Sequence, residues 1–308
     1  MKDSLIIGLV DGANYLKQFF QILFLTIYPN KKIIMKLKID KEPDFLVYST
    51  SGEEHKKYKN CYKILINTKS ANLKNYNTNL IIDTTNDVTH LPEKVNMVYI
   101  PYYVISFYER FRNVPNSLIK SSEYNSNQIL QSKKNFCAFL YYNCDIKYRI
   151  KFFHILSQYK KVDPLGKCLN KNKECDRFYF KDGQMSYLDL AVSKYKPYKF
   201  VICFESKNKK GYISEKIVNA MLANAIPIYS GSNEIIKHFN KKAFINSNDF
   251  KTFEELSDYI KKLDNDDNLY KKMLQEPWFE NNKLPNWFSI GLFSSVIKNL
   301  IKQKQSEM

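Results

Sequence analysis

The stretch that decides the fold is FVICFESKNKKGYISEKIVNAMLANAIPIYSGS, residues 200–232. It opens with the apolar run 200–204, which is typical of a buried parallel strand. A lysine-rich polar loop follows, and then a segment at 214–224 with apolar residues available for the inner face of a helix. A second apolar run occupies 226–229. The order strand, loop, helix, strand predicts a parallel βαβ unit.

The same kind of pattern recurs along the whole chain. Short apolar runs rich in β-branched and aromatic residues predict further strands at 5–10, 45–49, 62–66, 80–83, 97–101 and 136–141. Polar and helix-like segments alternate with them, which predicts an α/β architecture with parallel sheets. The Ser- and Asn-rich segment 114–134 predicts a linker. We therefore predict two domains, residues 1–130 and residues 131–308, the second ending in a helical tail.

The chain is strongly basic. It carries 48 Lys and Arg against 31 Asp and Glu, which gives a net charge of +17 over 308 residues. Such a charge favours anionic ligands: nucleic acid, an anionic membrane surface or phosphorylated small molecules. The aromatic residues lie within apolar runs rather than between lysines, which argues against a nucleic-acid-binding protein. The amphipathic, Lys-rich segment after Trp287 leaves at most a peripheral membrane contact open.

The cysteines and the N-terminal sequence bear on metal binding, disulfide formation and cellular location. None of the six cysteines forms a CxxC pair, and no zinc spacing is present. Cys137 and Cys203 lie in apolar runs and are expected to be buried thiols, whereas a bridge between Cys168 and Cys175 is left open. No signal peptide is evident, and no apolar run has the ~20 residues of a membrane span. We therefore expect a soluble, cytoplasmic protein.

Two cations stand out because each follows a predicted strand. Lys216 lies in the first turn of a helix that Ser214 can cap, although a cation there opposes the helix dipole. Its neighbour Glu215 points elsewhere on the helix, which excludes a simple intrahelical ion pair. Arg149 lies early in another helix, which Asp145 can cap. Because parallel strands end at one edge of a sheet, the two cations could clamp a pyrophosphate, or they could both be solvated surface charges.

The stretch 200–232 resembles the donor-binding motif of the α-1,3-fucosyltransferases, glycosyltransferase family 10. That motif runs as apolar-C-F-E-N, a short spacer, G-Y-V-T-E-K-I, then A, I-P-I-Y and G, and about a dozen positions agree in order and spacing. The resemblance continues weakly through HFNKKAFINSNDF (238–250) and upstream through YRIKFFHILSQYKKVDPLGKC (148–168). In the first half, only PDFLVYSTSG (43–52) and VYIPYY (98–103) look similar to the family.

The resemblance implies a GT-B architecture, in which two Rossmann-like domains enclose the active site in an interdomain cleft. Residues 1–130 would bind the acceptor and residues 131–308 the donor. It further implies an inverting transfer of L-fucose from GDP-fucose to a hydroxyl of an N-acetylglucosamine-type acceptor, with no metal or cofactor required. The expected partners are a GDP-sugar and a glycan. A different GDP-hexose donor, a basic nucleic-acid-binding protein and an inactive glycan-binding protein are the alternatives.

Roles for individual residues follow from the same resemblance. Arg149 and Lys216 would neutralise the diphosphate leaving group, as Mg²⁺ does in other enzymes. Glu215 would accept hydrogen bonds from the ribose hydroxyls of GDP. Tyr212 would shape the nucleotide pocket.

One position of the donor motif departs from the family pattern. The family's C-F-E-N reads Cys203-Phe204-Glu205-Ser206 in this chain. Ser206 is expected to lie against the donor, but an amide contact of the family's Asn is shortened or lost. Glu205 belongs to the same strand-end motif, and its role is left open.

The general base is the second departure. Inversion requires a carboxylate of the acceptor domain to deprotonate the attacking hydroxyl. Family members carry a Glu in a G-E-N-type turn or just after the following strand, and the corresponding turn 67–72 holds no acid. The later segment contains Asp87, which we predict to be the base. Asp83 and Glu93 are the alternatives, and each of the three could equally be a turn or capping residue.

Overall fold

The computed structural model describes residues 3–68, 71–93, 95–111, 118–170 and 187–306. The chain forms two compact units. The first unit comprises Met1–Pro115, Lys209–Ile213 and Pro285–Met308, and the second comprises Asn116–Asn208 and Ser214–Leu284. This division differs from the predicted boundary at residue 130 and from the predicted assignment of the C-terminal segment to the second domain.

The described residues form parallel strands and helices in alternation, as the sequence predicts. The strands are β1 (Ser4–Val10), β2 (Lys32–Lys36), β3 (Phe45–Ser49), β4 (Tyr62–Asn67), β5 (Leu80–Asp83), β6 (Asn96–Tyr99), β7 (Asn135–Phe139), β8 (Val162–Pro164), β9 (Tyr198–Phe204), β10 (Ile226–Ser230) and β11 (Ile245–Asn246). The helices are α1 (Lys17–Ile27), α2 (Tyr102–Phe111), α3 (Ser126–Ser132), α4 (Lys147–Ser157), α5 (Tyr187–Tyr195), α6 (Lys216–Leu222), α7 (Phe253–Asn265), α8 (Asp267–Gln275) and α9 (Ile290–Ser306).

The first unit is built on a six-stranded sheet with the order β2-β1-β3-β4-β5-β6. All neighbouring strands run parallel. Every residue of β3 and β5 is buried, which explains why these strands read as continuous apolar runs in the sequence. The prediction of parallel α/β sheets is confirmed.

The second unit is built on a five-stranded parallel sheet with the order β11-β10-β9-β7-β8. β9 lies at its centre, paired with β10 and β7. At the end of β9, the ring of Phe204 stacks on Phe152 and on Tyr148, with ring centroids 5.0 and 5.9 Å away. Both partners belong to α4, so this aromatic stack fixes α4 against the end of the central strand.

The segment predicted to be a linker is in part a structured element of the second unit. α3 lies within residues 114–134 and packs against α8, and Asn125 caps it by accepting a hydrogen bond from the Gln128 backbone. Lys120 donates through its ammonium group to the carbonyl oxygens of Leu274 and Glu276 at the end of α8. Burial lowers the pKa of Lys120 to about 7. These contacts join the chain to the second unit well before residue 130.

The C-terminal helix α9 belongs to the first unit because its apolar face packs there. Phe293, Ile297 and Ile301 are buried, and their spacing of four residues places them on one side of the helix. The helix contacts α1 and β6. No helix of the described residues is long and apolar enough to cross a membrane.

Two predicted helix caps are wrong. The N-cap of α4 is Ile146, without a side-chain cap, while the backbone N–H of Asp145 donates to Asn143 at 2.6 Å. The N-cap of α6 is Glu215, also without a side-chain cap, because the hydroxyl of Ser214 bonds elsewhere. Local sequence suggests a capping residue, but tertiary contacts compete for its side chain.

The cysteines pair differently from the bridge considered in the sequence. Cys168 forms a disulfide with Cys144, with Cα atoms 5.2 Å apart. The disulfide joins the loop after β7 to the loop after β8. Cys175 lies outside the described residues. Cys137 and Cys203 are free and buried, as predicted.

The packing of α9 predicts a contrast between two residues of that helix. Ile297→Ala should lower the free energy of unfolding by about 2–5 kcal/mol, since it leaves a cavity in the core. Leu292→Ala is the control, because Leu292 is 50% exposed and Ile297 is 0% exposed. The control should change stability by less than about 0.5 kcal/mol. Urea unfolding followed by circular dichroism measures both, and equal effects would contradict this packing.

Candidate active site

A buried carboxylate marks the carboxyl end of β9. Glu205 is 0% exposed, and its backbone N–H donates to the carbonyl of Ser230 at 2.8 Å. Its side chain accepts hydrogen bonds from the backbone N–H of Ser214 at 2.7 Å and from the Ser214 hydroxyl at 2.8 Å. The ammonium group of Lys216 lies 3.3 Å from the same carboxylate. These donors satisfy the buried carboxylate and fold the β9–α6 loop back onto the strand end.

Two glycines of the second unit lie where no side chain fits. A Cβ atom at Gly231 would lie 2.7 Å from Cγ of Glu205 and 2.6 Å from the hydroxyl of Tyr229. A Cβ atom at Gly166 would lie 2.2 Å from the carbonyl oxygen of Tyr141. A side chain at Gly231 would collide with Glu205 and Tyr229, and one at Gly166 would collide with the backbone of Tyr141, which explains the glycines in the quoted motifs.

Arg149 is a buried cation without a carboxylate partner in the part of the chain that the structure describes. It is only 4% exposed. One terminal guanidinium nitrogen donates to the carbonyl of Phe204 at 2.8 Å, and the guanidinium carbon lies 4.2 Å from the ring centroid of Tyr141. Its Nε is buried and has no hydrogen-bond partner among the described residues. Because a buried charge is costly unless it is compensated, this arrangement favours the binding of an anion.

The structure brings Arg149 and Lys216 to the same strand end. Arg149 binds the carbonyl of Phe204, and Lys216 binds the carboxylate of the next residue, Glu205. The side chain of Lys216 is 25% exposed. Burial raises the pKa of Tyr148, while the positive charges of both Arg149 and Lys216 act to lower it. Both cations therefore act on one small region of the second unit.

The remaining residues predicted for the donor lie in different surroundings. Glu215 is buried at the N-cap of α6, and its carbonyl accepts the Asn219 backbone N–H at 2.9 Å. Ser206 is exposed on the loop after β9. Tyr212 is partly exposed and belongs to the first unit. The roles of Glu215, Ser206 and Tyr212 toward a nucleotide stay predictions.

The three acids proposed as the base differ sharply in environment. Asp87 accepts hydrogen bonds from the backbone N–H and the hydroxyl of Thr89, at 3.0 and 2.7 Å. These bonds hold the pKa of Asp87 below its usual value, which weakens it as a base. Glu93 is exposed, and Asp83 is 0% exposed.

His90 is a residue of this region that sequence reasoning missed. Its Nε2 lies 2.6 Å from Oδ2 of Asp83, at the end of β5. The same carboxylate accepts hydrogen bonds from Thr85 and, at 3.3 Å, from the amide of Asn67. A histidine in the loop after a strand carries no recognisable spacing signal. Only the folded loop shows that His90 returns to the strand end.

The chain matches a family model, that of the C-terminal part of glycosyltransferase family 10 (fucosyltransferase), over residues 130–291. This match covers more than half of the 308 residues. The chain belongs to glycosyltransferase family 10. The matched range contains Arg149, Glu205 and Lys216, so the family 10 motif and the buried strand-end cluster are the same feature.

Curated family 10 relatives share segments of the chain. R654 of Acanthamoeba polyphaga mimivirus, by name a fucosyltransferase, is 36% identical over 196 residues, which are 63% of this chain and 31% of R654. The alpha-(1,3)-fucosyltransferase FucT of Helicobacter pylori is 49% identical over 79 residues, 26% of this chain and 16% of FucT. The matched segments therefore span less than a third of the length of these relatives.

Solved structures show the fold of the family 10 chain. A crystal structure of an alpha1,3-fucosyltransferase superposes with a TM-score of 0.71 at 21% identity, over 98% of this chain and 91% of that one. Its form with GDP-fucose gives 0.66 at 22% identity, over 97% and 91% of the two chains. Anabaena HepE in complex with UDP-glucose gives 0.54 at 10% identity, over 98% and 99%. The predicted GT-B fold of α/β units with parallel sheets is confirmed.

The contacts of Glu205 predict a stability effect. Glu205→Gln should lower the free energy of unfolding by about 1–3 kcal/mol, because one carboxylate oxygen becomes an amide donor that faces other donors. Glu53→Gln is the control, since the Glu53–Lys56 pair is exposed to solvent and should contribute little. Chemical denaturation measures both variants. An unchanged stability of Glu205→Gln would show that these hydrogen bonds do not hold the loop.

Proposed function

We propose that this family 10 protein is an inverting transferase that moves L-fucose from GDP-fucose to a hydroxyl of an N-acetylglucosamine-type acceptor. The observation that carries the proposal is the buried guanidinium of Arg149, which lacks a carboxylate partner among the described residues and lies at the same strand end as Lys216. A diphosphate is the anion that this pair suits best, because Arg offers a planar fork and Lys a compact charge.

The proposed chemistry depends on the charge of the leaving group. As the bond between fucose C1 and the diphosphate oxygen breaks, negative charge accumulates on GDP. Arg149 and Lys216 lie ready to stabilise that charge, and they need little rearrangement because burial and hydrogen bonds already hold them. We propose that these two cations do what a divalent metal does in other transferases, so the transfer requires no metal.

The acceptor hydroxyl attacks C1 from the face opposite GDP, which inverts the configuration at that carbon. A base must take the hydroxyl proton as the new bond forms. Glu215 is proposed to accept hydrogen bonds from the ribose, and Ser206 and Tyr212 to line the nucleotide site. Glu205 acts through Lys216, since its carboxylate holds the ammonium group in place.

The comparisons support this choice of donor. The mimivirus and Helicobacter relatives are fucosyltransferases by name, and one fold neighbour was crystallised with GDP-fucose. The Helicobacter relative is an alpha-(1,3)-fucosyltransferase and is 49% identical over its matched segment. We therefore propose GDP-fucose ahead of other GDP-hexoses and an α-1,3 linkage as the first to test.

The two proposed phosphate ligands predict a loss of donor affinity. Arg149→Ala and Lys216→Ala should each weaken GDP binding by about 10- to 100-fold, the usual effect of removing a charged hydrogen-bond donor. Lys151→Ala is the matched control, because Lys151 is exposed on the same helix as Arg149, and it should bind GDP as the wild type does. Isothermal titration calorimetry measures the affinities, and melting temperatures confirm folding. Unchanged affinity in both variants would contradict the proposed clamp.

The donor and the reaction are tested together by turnover. The protein is incubated with N-acetyllactosamine and with GDP-fucose, GDP-mannose or GDP-glucose, with and without EDTA. We expect a fucosylated product from GDP-fucose alone and no effect of EDTA. Preferential use of another GDP-sugar would replace the proposed donor. Binding of GDP and glycan without turnover would instead identify an inactive glycan-binding protein.

A further inference from the structure

We propose that Tyr141 is a positioning residue of the donor site, whose ring holds the guanidinium of Arg149 in the orientation that binds the diphosphate. This inference rests on the proposed function, because the orientation of Arg149 matters only if Arg149 binds a phosphate. Tyr141 acts through Arg149 and does not itself have to touch the donor. Both residues belong to the second unit, as do all the groups that fix the ring.

The ring of Tyr141 provides the surface against which Arg149 lies. The guanidinium carbon is 4.2 Å from the ring centroid, and both residues are only 4% exposed. A cation is attracted to an aromatic face most strongly where water is excluded from both groups. The face carries partial negative charge but no full charge, so it holds the guanidinium without neutralising it. The cation therefore remains able to bind an anion.

The hydroxyl of Tyr141 attaches the ring to β9. It accepts the backbone N–H of Phe204 at 2.7 Å and donates to the carbonyl of Ile202 at 2.8 Å. Burial raises the pKa of Tyr141, so the phenol keeps the proton that it donates. The carbonyl of Phe204 accepts a terminal guanidinium nitrogen of Arg149 at 2.8 Å. Ring and guanidinium are therefore fixed to the same residue of the central strand.

The backbone of Tyr141 is held by the loop that follows β8. The backbone N–H of Cys168 donates to the carbonyl of Tyr141 at 2.9 Å. A Cβ atom at Gly166 would lie 2.2 Å from that carbonyl oxygen, so this loop passes directly against residue 141. The disulfide of Cys168 with Cys144 joins the same loop to a residue just beyond Tyr141 in the chain. The side chain is thus fixed at its base by the loop and at its tip by β9.

The packing of the ring allows a conservative replacement. Phe139, the last residue of β7, packs against Tyr141 with ring centroids 4.6 Å apart. A phenylalanine at position 141 would keep this packing and would present the same aromatic face to Arg149. It would lose only the hydroxyl contacts with β9. The two parts of the tyrosine side chain can therefore be tested separately.

A second pair of a cation and a tyrosine in the same unit provides the contrast. The ammonium group of Lys120 lies 4.5 Å from the ring centroid of Tyr124 and donates to the carbonyl oxygens of Leu274 and Glu276. The components are the same as at Arg149, namely a cation, a ring and carbonyl oxygens. This pair, however, lies at the end of α8 and not at the carboxyl end of β9. Its expected role is structural.

The first test measures GDP affinity by isothermal titration calorimetry. Tyr141→Leu should weaken GDP binding by about 5- to 30-fold, since the cation–π contact is lost and the guanidinium must then be ordered on binding. Tyr141→Phe should retain most of the affinity, with a loss of no more than about threefold, because the ring face remains. Tyr124→Leu is the matched control and should bind GDP as the wild type does.

Three results of this titration would overturn the proposal. One is an unchanged affinity of Tyr141→Leu. Another is an equal loss in Tyr141→Phe and Tyr141→Leu, which would assign the effect to the hydroxyl. The third is an equal loss in Tyr124→Leu, which would show a general effect of removing a ring from the unit.

A double variant separates positioning from a structural role. If Tyr141 acts through Arg149, the variant that combines Tyr141→Leu with Arg149→Ala should bind GDP no more weakly than Arg149→Ala alone. A ring that only supports the surrounding loops should weaken binding whether or not Arg149 is present. Independent losses in the two single variants would therefore contradict the positioning role.

Fluorinated rings provide a test that does not depend on the folding of Tyr141→Leu. Phenylalanine analogues with one, two and three ring fluorines are placed at position 141, where they change the volume of the side chain little. Each fluorine draws electron density from the ring face and weakens its attraction for a cation. GDP affinity should fall stepwise along this series, and an affinity independent of fluorination overturns the proposal.

The same measurements distinguish this inference from the proposed function. If Arg149→Ala weakens GDP binding and the changes at position 141 do not, the role of Tyr141 is overturned and the phosphate clamp stands. If the wild type binds no GDP, or if Arg149→Ala binds it equally well, the role of Arg149 in the clamp is overturned. The role of Tyr141 is then overturned with it.

Discussion

The buried carboxylate of Glu205, hydrogen-bonded to Ser214 and paired with Lys216, is the interaction on which the strand end of the second unit depends. It closes the loop after β9 onto the sheet and takes the Ser214 hydroxyl away from helix capping. It also orients the side chain of Lys216. Position 231 must be glycine because a larger residue there would collide with the side chain of Glu205. Because the carboxylate is fully buried, loss of any one donor would leave part of it unsatisfied.

The two cations at this strand end, Lys216 and Arg149, are held by different kinds of group. Glu205 compensates one cation, Lys216, while Arg149 is held by a carbonyl oxygen and an aromatic face, neither of which carries a full negative charge. Among the described residues, Arg149 is thus a buried cation without a carboxylate partner. A buried, preorganised cation suits an anion that gains charge during a reaction, as a nucleoside diphosphate leaving group does. The aromatic stack between α4 and β9 keeps Arg149 in place.

The first unit uses carboxylates at strand ends in two ways. Asp11 accepts two backbone N–H groups and contacts the imidazole of His55, whereas Asp83 accepts one backbone N–H group and contacts the side chains of Thr85, Asn67 and His90. The two pairs differ in the groups that the carboxylate and the imidazole contact. Both backbone contacts of Asp11 belong to the turn at Glu54 and His55, whereas Nδ1 of His90 has no hydrogen-bond partner among the described residues. The carboxylate of Asp87, which the sequence indicates as the base, accepts two hydrogen bonds from Thr89, and these bonds lower the pKa of Asp87.

The sequence by itself determined the parallel α/β units, the central strand β9 and the two cations that follow strands, because each of these depends on a local pattern of apolar and polar residues. The family motif pointed to the same residues. Only the tertiary structure decided the partner of Cys168, the placement of α9 in the first unit and the pairing of His90 with Asp83. The caps Asp145 and Ser214 failed for the same reason. These features join residues through loops whose conformation depends on distant contacts, and no local spacing records such contacts.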